Sequence, residues 1–180
     1  MTLKNLRIGL DIDDTLATFF DTYKEYFNTK KYPSRLKEHN ITKNVVRILK
    51  FDRDFWLNLP VKNRITFVPE LYCTSRVCNK AWTKEWLNRN MFPRRPVYQV
   101  FGHGMDKSRY IKGKVDIFVD DSLTNFIALN LSGIPCLLLD NGRNDWWEHD
   151  GRIFSLDKNE ILEEYFRFKH RVLPHFEELV

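Results

Sequence analysis

Leu6-Arg7-Ile8-Gly9-Leu10-Asp11-Ile12-Asp13-Asp14-Thr15-Leu16 begins as a nearly continuous apolar run and ends in three acids within four positions. A short apolar run without polar alternation is the pattern of a strand buried on both faces, as in a parallel sheet covered by helices. Asp11 and Asp13 lie two apart, so in an extended chain they share one face while Ile12 takes the other.

Further along the chain the same type of run recurs at residues 67–73, 96–101, 115–119 and 135–139. Between the runs lie stretches of helical period, at 15–28, 79–89, 107–111 and 122–131, and another covers 158–168 before Pro174. Alternating strands and helices imply an α/β fold, here a Rossmann-like doubly wound parallel sheet. Residues 30–62 break the rhythm, being charged and helical in pattern with no convincing strand. They are expected to form a small helical cap inserted into a core built from 1–29 and 63–180. An ordinary crossover with extra helices is the alternative.

In an open parallel sheet, ligands gather at the carboxyl ends of the strands. Those ends carry Asp11-Ile12-Asp13-Asp14-Thr15, Cys73-Thr74-Ser75-Arg76 and Asp120-Asp121-Ser122. Four or five carboxylates brought together repel one another unless a cation neutralises them. Carboxylate and backbone oxygens are hard ligands of the kind Mg²⁺ takes while it also accepts a phosphate. Lys107, which opens a helix after Gly102-His103-Gly104, would add positive charge, with Lys112 and Lys114 as competitors. The Thr74 or Ser75 hydroxyl and nearby backbone amides would grip phosphate oxygens. Asp14 and Ser122 also read as simple helix N-caps, and His103 as an incidental loop histidine.

Composition narrows the setting. Lys and Arg number 29 against 24 Asp and Glu, a formal charge of +5, which favours anionic partners without naming one. Met1 to Arg7 runs straight into a strand-like segment, with no signal-peptide pattern, and no stretch matches a membrane span. Cys73, Cys78 and Cys136 lack zinc spacing and read as reduced thiols. The expectation is a soluble, cytoplasmic protein.

Asp11-Ile12-Asp13-Asp14-Thr15-Leu16 resembles the first motif of the haloacid dehalogenase (HAD) superfamily, D-x-D-G-T/V-L. Leu71-Tyr72-Cys73-Thr74-Ser75-Arg76 resembles the second motif, Lys107 the third and Val119-Asp120-Asp121-Ser122 the acidic fourth, in that order over most of the chain. The resemblance implies a phosphatase in which Asp11 attacks phosphorus and Asp13 serves as acid and base. It implies Mg²⁺ held by Asp11, the Asp13 carbonyl and a fourth-motif acid. Asp121 aligns best as the direct ligand, with Asp120 acting through water or Lys107. The sequence departs from the motif at Asp14, where Gly is usual, although Asp tolerates unusual backbone angles better than most residues.

Leu16-Ala17-Thr18-Phe19 and Phe55-Trp56-Leu57-Asn58-Leu59-Pro60 are similar to segments of the 5'(3')-deoxyribonucleotidases, and Cys73-Thr74-Ser75 to their second motif. Arg76 stands where those enzymes often carry Pro, and either a substrate phosphate or a neighbouring acid would pair with it. The likeness implies a nucleoside monophosphate substrate, with Phe19 and Trp56 stacking on the base. Helical spacing of Phe19, Phe20, Tyr23 and Phe27 equally describes core packing. Two rivals stand beside this reading: a polynucleotide 3'-phosphatase acting on nucleic-acid ends, and a catalytically silent binding protein on the same scaffold. Asn141 to Trp147 follows the last expected strand as a rim loop, in which Trp146 and Trp147 read as packing residues.

Overall fold

The computed structural model describes residues 6–29, 45–100, 105–144 and 150–169. Its strands are β1 (Ile8–Leu10), β2 (Leu71–Thr74), β3 (Val97–Gln99), β4 (Ile117–Asp120), β5 (Cys136–Leu139) and β6 (Arg152–Ile153). They form one sheet in the order β3-β2-β1-β4-β5-β6, and every pairing is parallel. The helices are α1 (Phe20–Thr29), α2 (Arg53–Leu57), α3 (Lys80–Arg89), α4 (Met105–Ile111), α5 (Leu123–Leu131) and α6 (Lys158–Lys169). A 3₁₀ turn, Leu49–Phe51, precedes α2. This is an α/β fold with a parallel sheet flanked by helices, compatible with a Rossmann-like arrangement.

The strand order matters for the site. From β1 the chain builds outward to β2 and β3, then returns past β1 to lay down β4, β5 and β6. Right-handed crossovers in the two directions put helices on opposite faces, and a crevice opens where the direction reverses, between β1 and β4. The acids of residues 11–14 and 120–121 sit at the two lips of that crevice.

β1 is enclosed along its length, with Ile8, Gly9 and Leu10 all buried. Gly9 lies opposite Phe118 on β4 and Leu71 on β2. A Cβ there would fall 2.8 Å from both Phe118 Cδ2 and Val115 Cγ1, so glycine is what lets those side chains close over the strand. Arg7 fastens the start of β1, donating from its backbone N–H and guanidinium to Asp116 and from Nη1 to the Gly113 carbonyl.

The described part of the segment between α1 and β2 is helical in short pieces. Leu49, Phe55, Trp56, Leu57 and Leu59 are buried in the same apolar cluster as the sheet. Trp56 Nε1 donates to the Leu49 carbonyl at 2.7 Å, and Trp86 Nε1 to that of Leu59 at 2.8 Å. Residues 30–44 of the expected cap lie outside the described residues, as do His103 with its flanking glycines, Trp146, Trp147 and Pro174. Among the described residues, no helix is long and apolar enough to cross a membrane. The three cysteines are buried free thiols.

Two expectations change in detail. The first helix starts at Phe20 rather than near residue 15, because the chain spends residues 12–17 on a tight turn. β6 was not expected, being only two residues long, too short for a period to show.

Candidate active site

The chain leaves β1 under tight control. Asp11 N–H donates to the Val119 carbonyl at 2.9 Å, extending the β1–β4 ladder by one residue. The Ile12 carbonyl then accepts from both Leu16 (2.7 Å) and Ala17 (2.9 Å), which folds the backbone back on itself. Asp14, at the turn, has φ +58°, a left-handed conformation in which glycine is easiest and Asp is tolerated. Its side chain adds what glycine lacks, since Oδ1 accepts from Phe19 and Phe20 N–H at 3.1 Å each and so caps the start of α1. Ser122 caps α5 in the same way, its hydroxyl accepting from Asn125 N–H. The turn is secured from outside by residues after α2. Thr18 N–H donates to the Pro60 carbonyl and Lys62 N–H to that of Leu16.

Beside this turn lies a concentration of charge. Asp11, Asp120 and Asp121 are 5%, 0% and 8% exposed, and each offers a carboxylate oxygen within 4.8 Å of the others. Lys107 Nζ reaches Asp11 Oδ1 at 2.7 Å and Asp120 Oδ2 at 2.6 Å. Asn125 Nδ2 donates to both oxygens of Asp120 at 3.0 Å. Asp121 receives Asn141 Nδ2 at 2.8 Å. Lys112 and Lys114 are exposed and bond instead to the carbonyls of Ser132 and Tyr110.

Burial lifts the Asp11 carboxyl well above the ordinary range. Lys107 opposes the shift, while the charges of Asp120, Asp121 and Asp13 add to it. Asp121 is pushed up to about 7, first by burial and then by Asp120 and Asp14. Burial works against the charge on Lys107, yet Asp11 and Asp120 outweigh it and its pKa is raised. Lys107 pairs with Asp11 and Asp120, and the partly exposed Arg143 comes no nearer to Asp121 than 3.6 Å, so the buried negative charge is only partly balanced. The donor set, three carboxylates each offering a hard oxygen within 4.8 Å of the others, could hold a hard divalent cation.

Asp13 stands apart from this cluster, with its side chain 20% exposed and held by Arg76. Arg76 Nε lies 2.9 and 3.1 Å from the two Asp13 oxygens, and Nη2 lies 2.8 Å from Oδ1. The loop carrying Arg76 is fixed by Gln99 at the end of β3, whose Nε2 donates to the carbonyls of Arg76 and Cys78.

A cavity of about 380 Å³ joins these groups. Its polar lining includes Asp11, Asp13, Thr74, Ser75, Arg76, Lys107, Asp120 and Asp121, and its apolar lining is Phe19, Val45, Val46, Trp56 and Val77. The eight polar residues just named, with Phe19 and Trp56, were singled out from the sequence and line this one cavity, whereas Lys112 and Lys114 do not. Phe19 and Trp56 stack on each other, with centroids 5.8 Å apart and planes 13° from parallel. Trp56 is only 1% exposed and its N–H is taken by the Leu49 carbonyl, so little of its surface is open to the cavity.

The expectations missed Asn125, and they placed the loop after β5 at the rim without giving Asn141, Arg143 or Asn144 a role. In that loop Asn141 holds the Asp121 carboxylate, Asn144 bonds the Asp121 and Leu139 carbonyls, and Arg143 reaches Asp14. Asn125 carried a weak signal, lying on the first turn of the helix that follows Asp120. Compared with protein-family models and with curated proteins, the sequence finds no match.

Proposed function

We propose that this chain is a Mg²⁺-dependent phosphomonoester hydrolase of HAD type that works through a phosphoaspartate on Asp11, with a nucleoside monophosphate as substrate. The observation that carries the reading is the position of Asp11. It lies at the end of the central strand, paired with Lys107, among two further buried acids, with Asp13 two residues on and facing the same cavity.

In the first step an Asp11 carboxylate oxygen attacks phosphorus in line with the ester oxygen. The P–O ester bond breaks, and the leaving alkoxide takes a proton from Asp13. In the second step Asp13 removes a proton from water, whose oxygen attacks the phosphorus of the aspartyl phosphate. The acyl–phosphate bond breaks to release inorganic phosphate and restore Asp11. Mg²⁺, held by Asp11, Asp121, the Asp13 carbonyl and, directly or through water, Asp120, would offset charge on the phosphoryl oxygens. Lys107 orients Asp11 and adds a fixed positive charge, and the Thr74 and Ser75 hydroxyls and amides grip the phosphate. The apolar lining of the cavity, which includes Phe19 and Val45, suits a flat nucleobase better than a free sugar. Residues 30–62 would serve as the cap over it.

The test is phosphate release from deoxynucleoside and ribonucleoside monophosphates, sugar phosphates and a 3'-phosphorylated oligonucleotide. It is run with Mg²⁺, with EDTA, and with D11N. Mg²⁺-dependent release from nucleotides, lost in D11N, is the expected result. Release from the oligonucleotide alone would transfer the activity to nucleic-acid ends. No release from any substrate would remove the hydrolase reading.

A further inference from the structure

The Arg76–Asp13 pair is built more firmly than a surface ion pair. Arg76 is 1% exposed, and its guanidinium carbon lies 5.4 Å from the centroid of Trp56 and 5.1 Å from that of Trp86. Both contacts are within the range of a cation on an aromatic face. Its backbone is fixed at both sides, N–H to Thr74 Oγ1 and carbonyl to Gln99. Asp13 is its only ion-pair partner among the described residues. The arrangement holds Arg76 against Asp13, and the Nε of its planar fork, donating to both carboxylate oxygens, limits the rotation an Asp side chain would otherwise keep.

From this geometry we infer that Arg76 is a positioning residue: it sets the orientation of the Asp13 carboxylate and acts on catalysis through Asp13 rather than by holding the substrate phosphate. The inference rests on the hydrolase reading above, in which Asp13 transfers protons in both steps. Proton transfer requires the carboxylate within hydrogen-bond reach of the leaving oxygen and later of water, so a loosened carboxylate slows both steps without weakening substrate binding. The competing role, as a phosphate ligand, has its own basis. Arg76 lines the cavity, and among the described residues neither Nη1 nor Nη2 has a hydrogen-bond partner, Nη2 meeting Asp13 only as an ion-pair contact. The two roles predict different kinetics.

The experiment compares wild type, R76M, R76K, D13N and the R76M/D13N double variant in Mg²⁺. For each, kcat and KM are measured on a substrate that the wild type hydrolyses, along with inhibition by inorganic phosphate. A positioning role predicts that R76M loses about tenfold to a hundredfold in kcat while KM and phosphate inhibition stay within about twofold. It also predicts that the double variant is no slower than D13N, because effects passing through one group do not multiply. R76K keeps the charge but not the fork, and should lose kcat in the same sense with KM again unchanged. It also keeps the test alive if R76M fails to fold, which near-ultraviolet circular dichroism would reveal. A raised KM with weakened phosphate inhibition, or losses that multiply in the double variant, would make Arg76 a phosphate ligand and overturn the inference. Unchanged kcat in R76M and R76K would overturn it too, leaving the pair a structural contact. A wild type without turnover would be recognised at once as failure of the hydrolase reading, and this inference would fall with it.

Discussion

The guanidinium of Arg143 lies 2.9 Å from Asp14 Oδ2, joining the loop after β5 to the turn after β1 across 129 positions of sequence. It also lies 3.6 Å from Asp121 Oδ2 and rests on the Phe20 ring at 4.3 Å. Arg143 remains 35% exposed, so solvent screens the pair and its direct worth is about 1 kcal/mol or less. The prediction concerns coupling. D14G keeps a backbone that accepts φ +58° but removes the cap on α1, at a cost of about 1 kcal/mol. R143A should lower stability by a few tenths of a kcal/mol in the wild type and by less in D14G, where only its contacts with Asp121 and Phe20 remain. Denaturant midpoints of the four proteins test this. An equal loss in both backgrounds would mean that Asp14 is not what Arg143 contributes to.

Lys107 is the next test, because among the described residues it is the one cation buried between Asp11 and Asp120. K107M would leave two enclosed carboxylates facing each other without it. Breaking a buried pair by removing one partner costs about 3 to 5 kcal/mol. The metal-free variant should therefore unfold at clearly lower denaturant than the wild type at pH 7. A loss below about 1 kcal/mol would mean that water reaches these acids, against the enclosure seen here.

How much of this was legible beforehand depends on distance along the chain. Asp11 and Asp120 were visible as strand-end acids, and the rule that ligands gather where strand order reverses brings them together without any knowledge of side-chain contacts. The short apolar runs ending at those acids made β1 and β4 recognisable. Arg143 had no such signal, since its contact with Asp14 depends on the path of a loop. The partner of Arg76 was open for the same reason. Residue type allows a phosphate or a carboxylate, and only the packing of Trp56 and Trp86 around the guanidinium puts it on Asp13. α1 was placed too early because nothing in the apolar pattern distinguishes a helix from a turn that uses the Ile12 carbonyl twice.

Gly9 offers a test of the core beneath the site. G9A would put a methyl 2.8 Å from Phe118 and Val115 and 3.2 Å from Leu71, in the middle of the sheet. Overpacking of this kind costs about 1 to 3 kcal/mol, and the strain falls on β1, two residues before Asp11. The variant should show a lower thermal midpoint. Unchanged stability would mean that β4 can shift away from β1 freely.

The thiols give a prediction in pH. Burial raises Cys73 from its ordinary value of 9.0 to about 12, with Lys107 opposing and Asp11 and Asp120 assisting. Burial likewise raises Cys136 well above that value, and Cys78 less far. Between pH 9 and about 12 the folded chain thus keeps protons on Cys73 and Cys136 that the unfolded chain has released. The native state then binds more protons than the unfolded one. The stability these groups contribute is present in full below pH 9 and is lost as pH rises towards 12. Each such thiol adds a slope of at most about 1.4 kcal/mol per pH unit. Guanidinium midpoints should therefore fall between pH 8.5 and about 10.5, and C136A should fall less steeply than the wild type from its own starting value. A thiol reagent at pH 8 should leave all three cysteines unmodified until denaturant is added. Labelling of the folded protein, or parallel pH slopes in the two proteins, would show that the thiols ionise in place and that the sheet around β5 is open to solvent.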